Sequence, residues 1–197
     1  MKTNVVDLVG ENRVTGVVLD DGTTLDCDVL VESIGSVTNT EWLDGCDLDL
    51  SNGVLTDSSL RALRTDGTPW DTVFAIGDVA RFPISTFDDE ARRVEHWNIP
   101  TDTAKRAAQV ITAGFASPDD FTRVTGERFA PIPSFWSDQY DNHLLAYGLL
   151  ALADESRLLE GDLAGDCVFG YYRKGEMVGV CGIGLRSVVQ SYRPTFA

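Results

Sequence analysis

Residues Thr72 to Pro83 read TVFAIGDVARFP. An apolar run that stops on Gly77, presents a carboxylate at Asp78 and then turns constrains the fold more than any other stretch of this chain. Open α/β sheets bind ligands in the crevice at the carboxyl ends of their strands, and a glycine there lets a cofactor approach the backbone. Asp78 in that setting can accept hydrogen bonds from ribose-like hydroxyls. The same Gly-Asp pair also makes ordinary turns, so these residues by themselves leave both readings open. The run Val73 to Ile76 is short and continuous, which predicts a strand buried on both faces of a layered sheet.

Around this strand the patterning predicts a mixed fold. VVDLV (Val5 to Val9), RVTGVVL (Arg13 to Leu19) and TLDCDVLVESIG (Thr24 to Gly35) are separated by Gly-containing turns and alternate apolar with polar, as an antiparallel meander does. A short turn is expected at TEWLDG, capped by Asn39 or Thr40, and a strand at Val54 to Thr56. A helix is expected from Pro100 or Thr101 to Ala113, with Thr101 or Asp102 as its cap and Gly114 as its end. Residues Ser117 to Pro133 read as a linker. From Ser134 onward, strands joined by tight turns, with Lys174-Gly175 at a hairpin tip, predict a small antiparallel sheet closed by a terminal helix over LRSVVQSYR.

Three further segments carry a resemblance. GSVTNTEWL at Gly35 to Leu43, RRVEHWNIPTDTAKRAAQVITAG at Arg92 to Gly114 and PIPSFWSDQYDNHLLAYG at Pro131 to Gly148 stand in order with the GDVA strand end. With these four segments the chain closely resembles the FAD-dependent NAD(P)H:ferredoxin reductases of bacterial oxygenase systems. It departs from their pattern at Thr38, where the family has proline before the asparagine, and at Pro100, which removes one N–H from the helix's first turn.

The resemblance implies an α/β and α+β fold in three parts. Residues 1–38 would be terminal strands of a nicotinamide-binding domain, 39–118 the second half of an FAD-binding doubly wound domain, and 119–197 a carboxyl-terminal α+β reductase domain. It implies that Gly77 and Asp78 meet the ribityl or pyrophosphate end of FAD. The backbone at His96 and Trp97 would lie near the pyrimidine edge of the flavin, where helix-terminal N–H groups stabilise negative charge. Phe135 and Trp136 would sit by the dimethylbenzene edge, or serve as a core aromatic pair at a domain junction. Glu95 is read as an ion-pair partner of Arg92 or Arg93, with a flavin-side role as the alternative.

Such reductases also carry two GxGxxG loops, and this sequence contains neither. Gly182-Ile183-Gly184 follows a strand, but the acidic ribose ligand about 20 residues onward that a dinucleotide fingerprint needs is missing, so it reads as a glycine-packed strand end. The expected match is therefore the carboxyl-terminal half of a reductase. The chain alone is expected to bind FAD weakly or not at all. NAD(P)H would be the donor and a ferredoxin-type iron-sulfur protein the acceptor of the complete enzyme. The alternative is a non-catalytic binding or scaffold module, or a subunit completed by a second polypeptide or by homo-oligomerisation across an exposed sheet.

Composition narrows the remaining classes. A net charge of −15 argues against nucleic acid and anionic membrane surfaces as partners. Residues 1–100 carry 19 acidic against 7 basic side chains and the rest 12 against 9, so an acidic ferredoxin would favour a face drawn from the second half. Arg173, Lys174, Arg186 and Arg193 are its candidate residues. Four scattered cysteines without a C-x-x-C suggest buried thiols rather than an iron-sulfur or redox pair, and with two histidines they do not suggest a zinc site. No apolar run reaches the length of a membrane span, and the first residues lack a secretory h-region, which gives a cytoplasmic expectation.

Overall fold

A computed structural model describes residues 3–197, which form two compact units divided after Val37. In the first unit, β1 (Val5–Val9), β2 (Gly16–Leu19) and β3 (Thr24–Asp26) make an antiparallel sheet in that order, as the alternation predicts. The third strand is shorter than expected. Its register with β2 runs only from Gly16↔Asp26 to Val18↔Thr24. Beyond Cys27 the apolar residues Val29, Val31 and Ile34 lie open to solvent. A strand persists only where a neighbour supplies backbone partners; Val5 to Leu8 border the same groove as Leu30 to Ile34, but no ladder pairs the two segments among the described residues.

The second unit begins with a one-turn helix at Glu41–Leu43. It continues through β4 (Val54–Leu55), β5 (Arg61–Leu63), β6 (Pro69–Phe74), β7 (Ala80–Pro83) and β8 (Ala91–Arg93). Strand β4 pairs parallel with β7, and β8 pairs antiparallel with β7. β5 and β6 form a separate antiparallel hairpin. This corrects the expectation for Val73 to Ile76. The strand ends at Phe74 in a two-stranded ribbon, only Ala75 is buried, and Ile76 is 41% exposed. A continuous apolar run signals burial but not which sheet provides it.

Helix α1 (Ile99–Ala116) starts earlier and ends later than the sequence suggests. Asn98, not Thr101 or Asp102, occupies the cap position, and Pro100 falls in the first turn, where its missing N–H has no intrahelical partner to lose. Gly114 continues the helix instead of terminating it. Ser117 is the break: it closes α1 and caps α2 (Pro118–Thr125), its Oγ accepting the Asp120 N–H at 3.0 Å. The stretch read as a linker therefore begins with a helix, whose Ser-Pro-Asp-Asp start is a complete capping signal.

The carboxyl-terminal region follows its prediction closely. Strands β9 (Ser134–Gln139), β10 (Asn142–Gly148), β11 (Glu155–Gly161), β12 (Cys167–Arg173) and β13 (Glu176–Ile183) form one antiparallel sheet in the order β11-β12-β13-β10-β9. Lys174 and Gly175, both at positive φ (52° and 86°), make the two-residue turn between β12 and β13. Helix α3 (Arg186–Ser191) packs back on the sheet through Val189. A Cβ on Gly182 would lie 2.5 Å from Val189 Cγ2, so that strand-end glycine is required by the helix above it.

Two cores meet inside this unit. One gathers Leu60, Ala80, Phe82, Ile84, Val94 and Ile99; the other gathers Leu145, Tyr147, Val168, Val180, Val189 and Phe196. Phe87 packs against both, its ring 6.3 Å from that of Phe196. Asp88, next to it, receives two hydrogen bonds from Arg92 and one at 2.7 Å from Arg173 of β12. The loop before β8 is thereby bolted to the five-stranded sheet.

Candidate functional site

The Gly77-Asp78 turn forms where the chain leaves β6. Ile76 is extended, and Gly77, at φ +69°, opens a single 3-10 turn over Gly77–Val79. A Cβ at Gly77 would meet Pro100 at an ordinary 3.7 Å, so within this chain the glycine is demanded by its left-handed backbone rather than by crowding. Gly77 is buried, and its N–H donates to Thr103 Oγ1 at 3.0 Å. Asp78 is exposed, with its carboxylate unpartnered among the described residues, while its carbonyl accepts a hydrogen bond from Arg93 Nη1 at 3.1 Å.

The segment leading into α1 supplies the other side. Glu95 is paired with Arg93, one of the two arginines expected for it, whereas Arg92 is committed to Asp88. His96 packs its ring 5.3 Å from Phe135. Its Nδ1 is buried without a hydrogen-bond partner, and burial pushes the imidazole pKa below its usual value, which favours the neutral ring. Trp97 is 81% exposed and lies 6.2 Å from the half-exposed Trp136, ring to ring. The EHW and FWSD segments, about 40 residues apart in sequence, thus form one aromatic face.

Asn98 makes that meeting possible. Its Nδ2 donates to Asp102 and to the Ile132 carbonyl, and its Oδ1 accepts from Ser134 N and Ser134 Oγ, all within 3.1 Å. Asn98, Thr103 and the Asp78 contact of Arg93 all escaped the sequence reading. A signal for Thr103 was present: it shares the buried stripe of α1 with Ala107 and Val110 at helical spacing, where a hydroxyl needs a partner.

The remaining candidates are placed as follows. Arg173 is tied to Asp88, and Arg193 lies over the Tyr147 ring, 5.7 Å from its centre. Asp138 pairs across β9 and β10 with His143 at 2.7 Å. All four cysteines are free; burial raises the Cys181 thiol pKa, which suppresses its thiolate. Among the described residues no three His, Cys, Asp or Glu side chains gather as a metal site, and no helix is long and apolar enough to cross a membrane.

Known proteins are similar to this chain in sequence and fold. Residues 1–104 match the family described as pyridine nucleotide-disulphide oxidoreductase, and residues 134–197 match the reductase C-terminal family. Rhodocoxin reductase of Rhodococcus erythropolis is 31% identical over 73% of the chain and 30% of its own length. The ferredoxin reductase subunit of a Sphingobium 5,5'-dehydrodivanillate O-demethylase is 34% identical over 78% of the chain and 33% of its own length. A peroxisomal monodehydroascorbate reductase of Oryza sativa is 37% identical over a shorter region, 54% of the chain and 20% of that protein.

Among solved structures, the ferredoxin reductase of the CYP199A2 system from Rhodopseudomonas palustris superposes with a TM-score of 0.77 at 30% identity, over 97% of the chain and 43% of its own. The chain thus spans a fifth to a third of these curated relatives and under half of the solved reductase. It belongs to the pyridine nucleotide-disulphide oxidoreductase family and carries the reductase carboxyl-terminal domain after its FAD/NAD-type portion.

Proposed function

We propose that this chain provides the flavin-ring side of an FAD-dependent oxidoreductase that passes electrons from NAD(P)H to a ferredoxin-type protein. One observation carries the reading: an exposed, unpartnered Asp78 carboxylate on a Gly77 turn that abuts the first turn of α1, the helix that Trp97, ring to ring with Trp136, directly precedes. These residues fit FAD. A free carboxylate suits the hydroxyls of a ribityl chain, a helix amino end suits an electron-rich ring edge, and exposed indoles suit a flat apolar ring. Held by these residues, FAD would supply the chemistry of two-electron hydride acceptance and one-electron release.

In this reading Asp78 and Gly77 hold the flavin's chain, and the backbone at His96 and Trp97 faces the ring edge. Trp136 covers the side from which electrons leave, and Glu95 keeps Arg93 in place rather than touching the cofactor. The neutral His96 adds no charge beside the ring. Residues 1–38, 39–118 and 119–197 would correspond to nicotinamide, flavin and carboxyl-terminal portions. The ferredoxin acceptor is supported by the names of the Sphingobium relative, a ferredoxin reductase subunit, and of the Rhodopseudomonas ferredoxin reductase. A second polypeptide or a further copy is supported by apolar surface: a groove of about 500 Å³ between β6, α1 and α2 is lined by Phe74, Ile111 and the 89%-exposed Phe115.

The chain fused behind the amino-terminal portion of rhodocoxin reductase is expected to retain FAD through gel filtration. Asp78→Asn in that fusion is expected to raise the FAD Kd about tenfold, the worth of a charged hydrogen bond. A colourless fusion, or an unchanged Kd in the variant, would overturn the reading.

A further inference from the structure

We propose that Thr103 is a positioning residue for the Asp78 turn: its hydroxyl, which faces no ligand, sets how the carboxylate is presented. Threonines in helices commonly donate to the carbonyl four residues back, and Thr103 does so to Ile99 at 2.7 Å, with Pro100 O at 3.2 Å. That bond uses the single hydroxyl proton. The oxygen's lone pairs remain, and one of them accepts the Gly77 N–H arriving from another element, 26 residues away in sequence.

The consequence follows from the geometry of the turn. Gly77 adopts φ +69° without strain, but its buried amide must find an acceptor. Its N–H is held by Thr103 and the next carbonyl, that of Asp78, by Arg93, whose Nε also grips Asn52 Oδ1 at 2.9 Å. The peptide segment that carries the Asp78 carboxylate is therefore clamped on both sides, with α1 on one and β8 on the other. Thr103 is fully buried, so its hydroxyl acts through the turn and not on any ligand.

The purpose assigned to the turn rests on the flavin reading above, but the clamp can be tested by itself in the full 197-residue chain. Thr103→Val keeps the shape and removes the acceptor; Thr103→Ser keeps the hydroxyl. Residue-resolved amide hydrogen exchange is expected to be about tenfold faster at Gly77 in the valine variant and within about threefold of wild type in the serine variant. Amides of the β12–β13 pairing should exchange unchanged in both. Unchanged protection at Gly77 in the valine variant, equal loss in the serine variant, or uniform acceleration across the sheet would each overturn the proposal. A colourless fusion would instead remove the flavin reading and leave the exchange result to decide the role of Thr103.

Discussion

Phe82→Ala is expected to lower the unfolding free energy by about 3–5 kcal/mol, the range for emptying an aromatic site in a closed core. Phe82 is fully buried on β7, and its ring packs tilted, at 47°, against Phe129 with 5.6 Å between centroids. Its neighbours Leu60, Ala80 and Ile84 are also fully buried, so little can collapse into the space. The loss should appear in urea denaturation as a lower midpoint at constant slope. A change below about 1 kcal/mol would mean that the β4-β7-β8 core is far looser than drawn. Because β7 follows the Gly77 turn directly, local exchange at Val79 and Ala80 should rise with the loss of stability.

Asp88→Asn is expected to cost about 2–3 kcal/mol near neutral pH and progressively less in acid. The Asp88 side chain is only 15% exposed and receives charged hydrogen bonds from Arg92 and Arg173. Those arginines hold its carboxyl far below the ordinary range, the Arg92 hydrogen bonds contributing most. A carboxylate whose folded pKa is depressed stabilises the fold fully above its unfolded value, near 3.8. That contribution fades as pH falls below about 4, because the unfolded chain then takes up a proton that the folded one refuses. Wild type and variant should therefore converge in stability as the pH is lowered. A constant gap from pH 7 down to pH 3 would show that the pair is not what joins the loop to β12.

Much of the fold was legible from local pattern. The hairpin at Lys174-Gly175 could be read because a two-residue turn between strands requires positive φ, and both residues adopt it. The helix boundaries were not. Gly114 can end a helix but need not, and Ser117 outcompeted it because a serine followed by Pro-Asp-Asp caps the next helix while closing the last. The surroundings of Val73 to Ile76 were illegible because pairing partners are chosen by distant strands.

The site divides in the same way. Gly77, Asp78, His96, Trp97 and Trp136 were singled out by residue type and by the order of their segments. Which of them touch was set elsewhere. The Trp97–Trp136 contact and the His96–Phe135 contact depend on Asn98 binding Ser134 and Ile132, a side-chain bridge no motif spells.

By itself the sequence determined the strands and tight turns of the carboxyl-terminal sheet, most of α1, the turn at Gly77 and the carboxylate that follows it, since those depend on φ preferences, hydrophobic period and residue chemistry within a few positions; it did not determine α2, β5 or β8. Only the tertiary structure decided that Thr103 and Arg93 hold that turn, that Arg173 belongs to Asp88 and that two distant tryptophans share a face. A buried N–H, carbonyl or guanidinium must find a partner, and which group answers is fixed by packing across the whole unit rather than by neighbours along the chain.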